Sequence, residues 1–147
     1  MSIIGLGVAV TAPRLITSKV YSAGLLQGAA LVSDTTNQGC KAPSGAHVGG
    51  FLGVLAPQQL AAGTASGDVI ELQIEGVALC LCAANATITF GDEVVINGTD
   101  GSLRTYAGAT DEGASVIGKS LQTITAGASA QPFAVLLAPY TVHQTNA

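Results

Sequence analysis

Short apolar runs broken by Gly, Asn, Asp, Ser and Pro set the texture of this chain, and no sustained 3.6-residue period runs through it. The clearest pattern is the alternation in "DVIELQIEG": Ile70, Leu72 and Ile74 fall on one side, Glu71, Gln73 and Glu75 on the other. Successive side chains of a strand point to opposite faces, so this reads as a half-buried strand with one wet face. The same criteria predict strands at 29–33, 51–55, 69–75, 77–83, 93–96, 102–106, 115–125 and 133–138. Alternation is less clean in "SVIGKSLQTIT", where Gly118 marks a bulge or a bend. Helix is hard to place, with room for one turn or two in "APQQLAAG". Many short strands at close spacing predict an all-β fold, a small antiparallel β-barrel or sandwich with an extended N-terminal arm.

Segments 34–50 and 106–114 are rich in Gly, Ser, Thr, Ala and Asp and read as loops. The first is long for a compact domain, and long loops often bind. The chain divides on this reading into an arm at 1–19, a β domain at 20–140 and a polar tail at 141–147. There is also an echo: "SGDVIELQIEG" and "FGDEVVINGTDG" both run Gly, Asp, strand, turn. It is too short for the usual repeat architectures and reads as one local solution used twice.

Candidate chemistry concentrates in "FGDEVVINGTDGSLRT", which holds Asp92, Glu93, Asn97 and Asp100. A calcium loop needs several oxygen ligands at tight offsets and a distal bidentate acid. Here Asp92 and Glu93 are adjacent, so in a strand they face opposite sides, and no such acid follows. Asn97-Gly98 and Asp100-Gly101 are turn dipeptides, so the stretch reads as a hairpin with its acids facing water. His47 and His143 show neither ligand spacing nor a nucleophile motif, and "GLGVAV" lacks the full dinucleotide fingerprint. Cys40, Cys80 and Cys82 are odd in number and read as buried thiols. No catalytic, cofactor or metal residue is predicted.

Composition adds one inference. The chain of 147 residues is 48% hydrophobic, but 24 residues are Ala and only three Phe, three Tyr and no Trp are present. Large side chains supply most burial energy, so a single domain of this make-up has a thin core, and association with other subunits contributes to stability. The net charge of -4 is unevenly spread: Arg14, Lys19 and Lys41 face only Asp34 up to residue 41, and the acids dominate beyond it. Such a chain has no clustered basic face for nucleic acid. No apolar run reaches the roughly 20 residues of a membrane-spanning helix. "MSIIGLGVAVTAP" has no basic residue ahead of its apolar stretch and is expected to be a dockable arm rather than a signal peptide.

The order of elements resembles the small head decoration, or cement, proteins of tailed bacteriophages. The resemblance rests on Gly76-Val77-Ala78, the segment 86–94, Asp100-Gly101, the segment 116–121 and Val135-Leu136-Leu137, within residues 69–139, with a weaker match at "GLLQGAALVSD". It implies a non-enzymatic structural protein, made in the bacterial host cytoplasm and carried on the outer surface of the virion. There it would bind the expanded shell, clamp neighbouring major capsid subunits and act as a homo-oligomer, a trimer above all. An adhesion or carbohydrate-binding β module is the alternative. On this resemblance the apolar-then-basic arm and the 34–50 loop are expected to touch the capsid, through Ile3, Ile4, Leu6, Arg14, Lys19 and Lys41. No cofactor, nucleic acid or membrane partner is expected.

Overall fold

The structure, a computed structural model, describes residues 13–46, 48–57, 63–111 and 113–141. Five strands make the first lobe: β1 (Arg14–Lys19), β2 (Ala30–Asp34), β3 (Gly39–Lys41), β4 (Phe51–Leu55) and β5 (Val69–Glu75). They form one sheet in the order β1-β5-β4-β2-β3, rolled so that the two ends meet at an isolated parallel bridge, Val20↔Cys40. The second lobe holds β6 (Val77–Cys82), β7 (Thr87–Ile88), β8 (Glu93–Ile96), β9 (Leu103–Thr105), β10 (Ser115–Ser120), β11 (Ile124–Thr125) and β12 (Gln131–Thr141). Of these, β10-β12-β6-β9-β8 close into a barrel, and β7 pairs with β11 beside it. The fold is all-β with a closed barrel, as the short alternating runs predict.

The two lobes have the same topology. Replacing β1, β2, β3, β4 and β5 by β6, β8, β9, β10 and β12 converts one strand order into the other. The closures agree too: Val20↔Cys40 in the first lobe corresponds to the parallel pair Cys82↔Leu103 in the second. Register follows residue by residue. Leu31↔Gly53 and Val32↔Phe51 flank a one-residue bulge, and Val94↔Gly118 and Val95↔Val116 flank its counterpart. Loop hydrogen bonds repeat as well: Gly28 N donates to Leu55 O as Gly91 N donates to Ser120 O, both at 2.8 Å. Ala56 N to Glu71 O matches Leu121 N to Ala134 O. Gly28 and Gly91 share a left-handed backbone, φ +90 and +87, which glycine adopts without steric cost. The chain is thus a tandem repeat, and the "GD" echo lies in β5 and β8, which hold different places within it.

Other expectations hold or shift for local reasons. Gly118 does sit at a bulge. The predicted strand 115–125 is broken into β10 and β11, and the predicted loop 34–50 contains β3 paired to β2. Residues 14–19 of the expected arm are β1, bonded along the length of β5, so the sheet begins ahead of residue 20. Of the segment 56–63 considered for helical turns, residues 58–62 lie outside the described residues. In β5, Ile70 and Leu72 are buried as predicted, but so is Gln73. Its Nε2 donates to Glu75 O and Val77 O, both at 2.9 Å, so a buried amide ties the backbone across the junction between lobes.

The core is divided. One cluster fills the second barrel around Phe133, Ile117, Ile96 and Leu103 and takes in Ala30, Val32 and Val54 from the first lobe. A smaller one, with Leu31, Leu55, Ile70 and Leu72, fills the roll of the first lobe. The lobes are also bonded together, Ala30 N to Gly101 O at 2.9 Å and Ser115 N to Val48 O at 2.9 Å.

Candidate interaction surface

Of the residues that first suggest chemistry, Asp92 and Asp100 hold turns and Glu93 ties β8 to β12. Asp92 Oδ2 accepts from Thr89 N at 2.9 Å and from Thr105 Oγ1 at 3.0 Å. Asp100 Oδ1 accepts from Ser102 N at 3.0 Å and from Ser102 Oγ at 2.6 Å. Glu93 Oε2 accepts from the Tyr140 hydroxyl at 2.7 Å, and this bond is the main cause that pushes the Tyr140 phenol up to about 12. The hairpin reading of 90–105 therefore describes β8, its turn and β9. Among the described residues, no group of three or more His, Cys, Asp or Glu is placed to hold a metal ion. All three cysteines are free and buried, and burial pushes the Cys80 thiol up to about 12.

Of the expected capsid-contacting residues, Lys19 and Lys41 flank the Val20↔Cys40 bridge and Arg14 stands at the far end of β1. Ile3, Ile4 and Leu6 lie outside the described residues. Arg14 opens β1 with an exposed ion pair to Glu75 at 3.7 Å. Lys19 ends the same strand, and Lys41 ends β3, 4.0 Å from Asp34. Asp34 is held below the usual carboxylate range, first by the Asn37 amide, and Lys41 adds to this.

A surface that sequence reasoning missed lies on the outer wall of the second barrel. In β6 the side chains alternate: Ala78, Cys80 and Cys82 point into the core, so Val77, Leu79 and Leu81 point out. In β12, Phe133, Val135 and Leu137 are buried, leaving Pro132, Ala134, Leu136 and Ala138 outside. The strand register sets these outward residues against one another as Val77↔Leu136, Leu79↔Ala134 and Leu81↔Pro132. Val77, Leu79 and Leu136 are each 45–48% exposed. At one end the wall runs into a cleft of about 310 Å³ between Leu26 and Leu79–Leu81. At the other end a depression of about 180 Å³ lies between Leu136, Lys119 and Tyr140.

The repeat supplies an internal control for this wall. The pairs equivalent to those three are Leu15↔Gln73, Thr17↔Glu71 and Lys19↔Val69 in the first lobe. The same two-stranded wall thus folds with Thr, Lys and Glu on it, and the fold does not require the second wall to be apolar. Contiguous exposed apolar surface on a soluble protein marks an interaction site. The signal in the sequence is "VALCLC" beside "PFAVLLA", two strands apolar on both faces.

Comparisons with known proteins agree with this architecture. A scan against models of known protein families and a search of curated proteins find no match. Among solved structures the chain is similar to the N base of the head fiber gp8.5 of bacteriophage phi29. The TM-score is 0.53 at 16% sequence identity, over 86% of this chain and 95% of that one. The likeness is one of fold.

Proposed function

We propose that this chain is a structural protein of a tailed-phage head. On this reading it decorates the outer surface of the expanded capsid and clamps neighbouring major capsid subunits. The observation that carries the reading is the apolar β6–β12 wall, set on a fold that a phage head fiber base shares. The motif resemblance to decoration proteins supports it independently. Burying Leu79, Leu136 and Val77 against a partner would contribute on the order of 1 kcal/mol or more per side chain. A homo-oligomer, with a trimer favoured, would engage several capsid subunits at once and multiply that modest affinity. Binding only the expanded lattice would stabilise that state by mass action. The segment 1–19, through Ile3, Ile4, Leu6, Arg14 and Lys19, and Lys41 in the 34–50 region are further proposed contacts.

Co-sedimentation tests this. The chain should pellet with expanded capsids and stay in the supernatant with immature ones. Equal binding to both, or to neither, would rule the reading out.

A further inference from the structure

The repeat places the same junction surfaces on both lobes but fills only one set. Within the chain, the 26–30 stretch of the first lobe seats on β6 of the second. A Cβ on Gly28 would meet the Leu79 carbonyl oxygen at 3.1 Å and Leu81 Cγ at 3.2 Å. Gln27 and Leu26 line a cleft with Leu79, Leu81 and Pro132. The seat is needed because β6 pairs with β12 along one edge and with β9 only at Cys82 along the other.

The counterpart surfaces stand open. Gly91 occupies the place of Gly28, yet a Cβ there would have nothing within 4 Å. Beside it Phe90, in the place of Gln27, is 66% exposed. On the first lobe β1 takes the place of β6. It ends the sheet order with β5 on one side; on the other, β3 covers its Lys19 end through the Val20↔Cys40 bridge and a Cys40 Sγ bond to Lys19 O at 3.4 Å, and no strand among the described residues pairs with the rest of that edge. Val69, in the place of Pro132, is 66% exposed. An uncovered edge strand is a template for association. Of the charges, Lys19 stands opposite Val69 on this seat and Asp92 and Glu93 follow Phe90, while Arg14 is already paired with Glu75.

We infer that copies of this chain join head to tail, the Phe90–Glu93 loop of one copy's second lobe seating on the β1 edge and Val69 of the next copy's first lobe. The occupant of each open surface is a second copy of this chain, and the contact repeats the junction already made within the chain. In that seat Phe90 lies over Val69 and the Lys19 stem, as Gln27 lies near Pro132 and Leu81. Such a contact is heterologous, so it closes into a ring when the rotation allows. It involves surfaces other than the apolar wall, which stays free.

Two single variants, Phe90→Cys and Val69→Cys, test the contact with a short bismaleimide cross-linker, since the native thiols are buried. A cross-linked dimer is expected when the two proteins are mixed and in neither protein alone. Light scattering should give an oligomer for the unmodified chain, and Phe90→Asp and Lys19→Glu should each weaken it about tenfold or more at unchanged circular dichroism. A monomer mass at every concentration would overturn the inference. So would an oligomer that cross-links in the absence of its mixed partner, or one indifferent to both charge variants. No capsid enters the experiment, so its failure is distinct from a failure of capsid docking.

Discussion

Gly118 in β10 lies so close to the Leu136 carbonyl of β12 that a Cβ on it would fall well inside van der Waals contact. The bulge beside it brings the two backbones together, and β12 is held on its other side by β6. Gly118→Ala should therefore destabilise the protein by about 3 kcal/mol or more, read as a fall in the denaturant midpoint. A Cβ on Gly53, its counterpart, would meet Leu72 Cβ at 2.9 Å and the Gln73 carbonyl oxygen at 3.1 Å, a milder overlap. Gly53→Ala should cost less than Gly118→Ala.

The apolar wall should be dispensable for folding and needed for docking. Leu79→Glu places on β6 the kind of charge that the equivalent β1–β5 wall already carries in Lys19 and Glu71. Its unfolding free energy should stay within about 0.5 kcal/mol of the parent. Capsid occupancy in co-sedimentation should drop at least about tenfold. A large loss of stability with occupancy intact would show the wall to be structural.

Arg104 and Asp111 form a fork between β9 and the 3-10 turn Gly108–Asp111, with Nη1 donating to Oδ2 at 3.0 Å and the Asp111 side chain fully buried. The same carboxylate accepts from Ala107 N at 2.6 Å. Removing the guanidinium takes the fork partner from a buried carboxylate, so Arg104→Ala should cost about 3 kcal/mol in chemical denaturation.

Tyr140 gives a pH signature. Its phenol is raised to about 12, chiefly by donating to Glu93, so the folded state holds this proton more tightly than the unfolded chain does. The stabilisation is fully present below the ordinary tyrosine value and is lost as pH rises through about 12. Ultraviolet titration of phenolate should show a late component that disappears in Tyr140→Phe and moves to lower pH in Glu93→Gln.

The thiols supply a folding assay. Cys40, Cys80 and Cys82 are buried and each is raised chiefly by desolvation. The native protein should react negligibly with a thiol reagent near neutral pH, and all three cysteines should react after denaturation.

The strands were legible where alternation was strong, as at Ile70 and Leu72, and the β8–β9 hairpin was legible from its Asn-Gly and Asp-Gly dipeptides. β1 and β3 were not, because "RLITSK" and "GCK" carry few apolar residues and owe their pairing to β5 and β2. The repeat was invisible for a related reason. Among equivalent strand positions only Val32 with Val95 and Gly53 with Gly118 keep the same residue. What the lobes share is a register and a bulge, set by backbone hydrogen bonds, and many apolar or polar side chains satisfy them. The candidate surface was missed because a wholly apolar strand gives no sign that one of its faces is uncovered.

The junction at Gly76 has a mechanical consequence. β5 ends at Glu75 and β6 begins at Val77, while Leu137 N donates to Gly76 O at 3.0 Å and the Gln73 amide grips both flanking carbonyls. One residue held from three directions is a splice, with no hinge in it. A pull on the second lobe reaches the first as shear along paired strands, and the two should give way in a single rupture rather than in sequence.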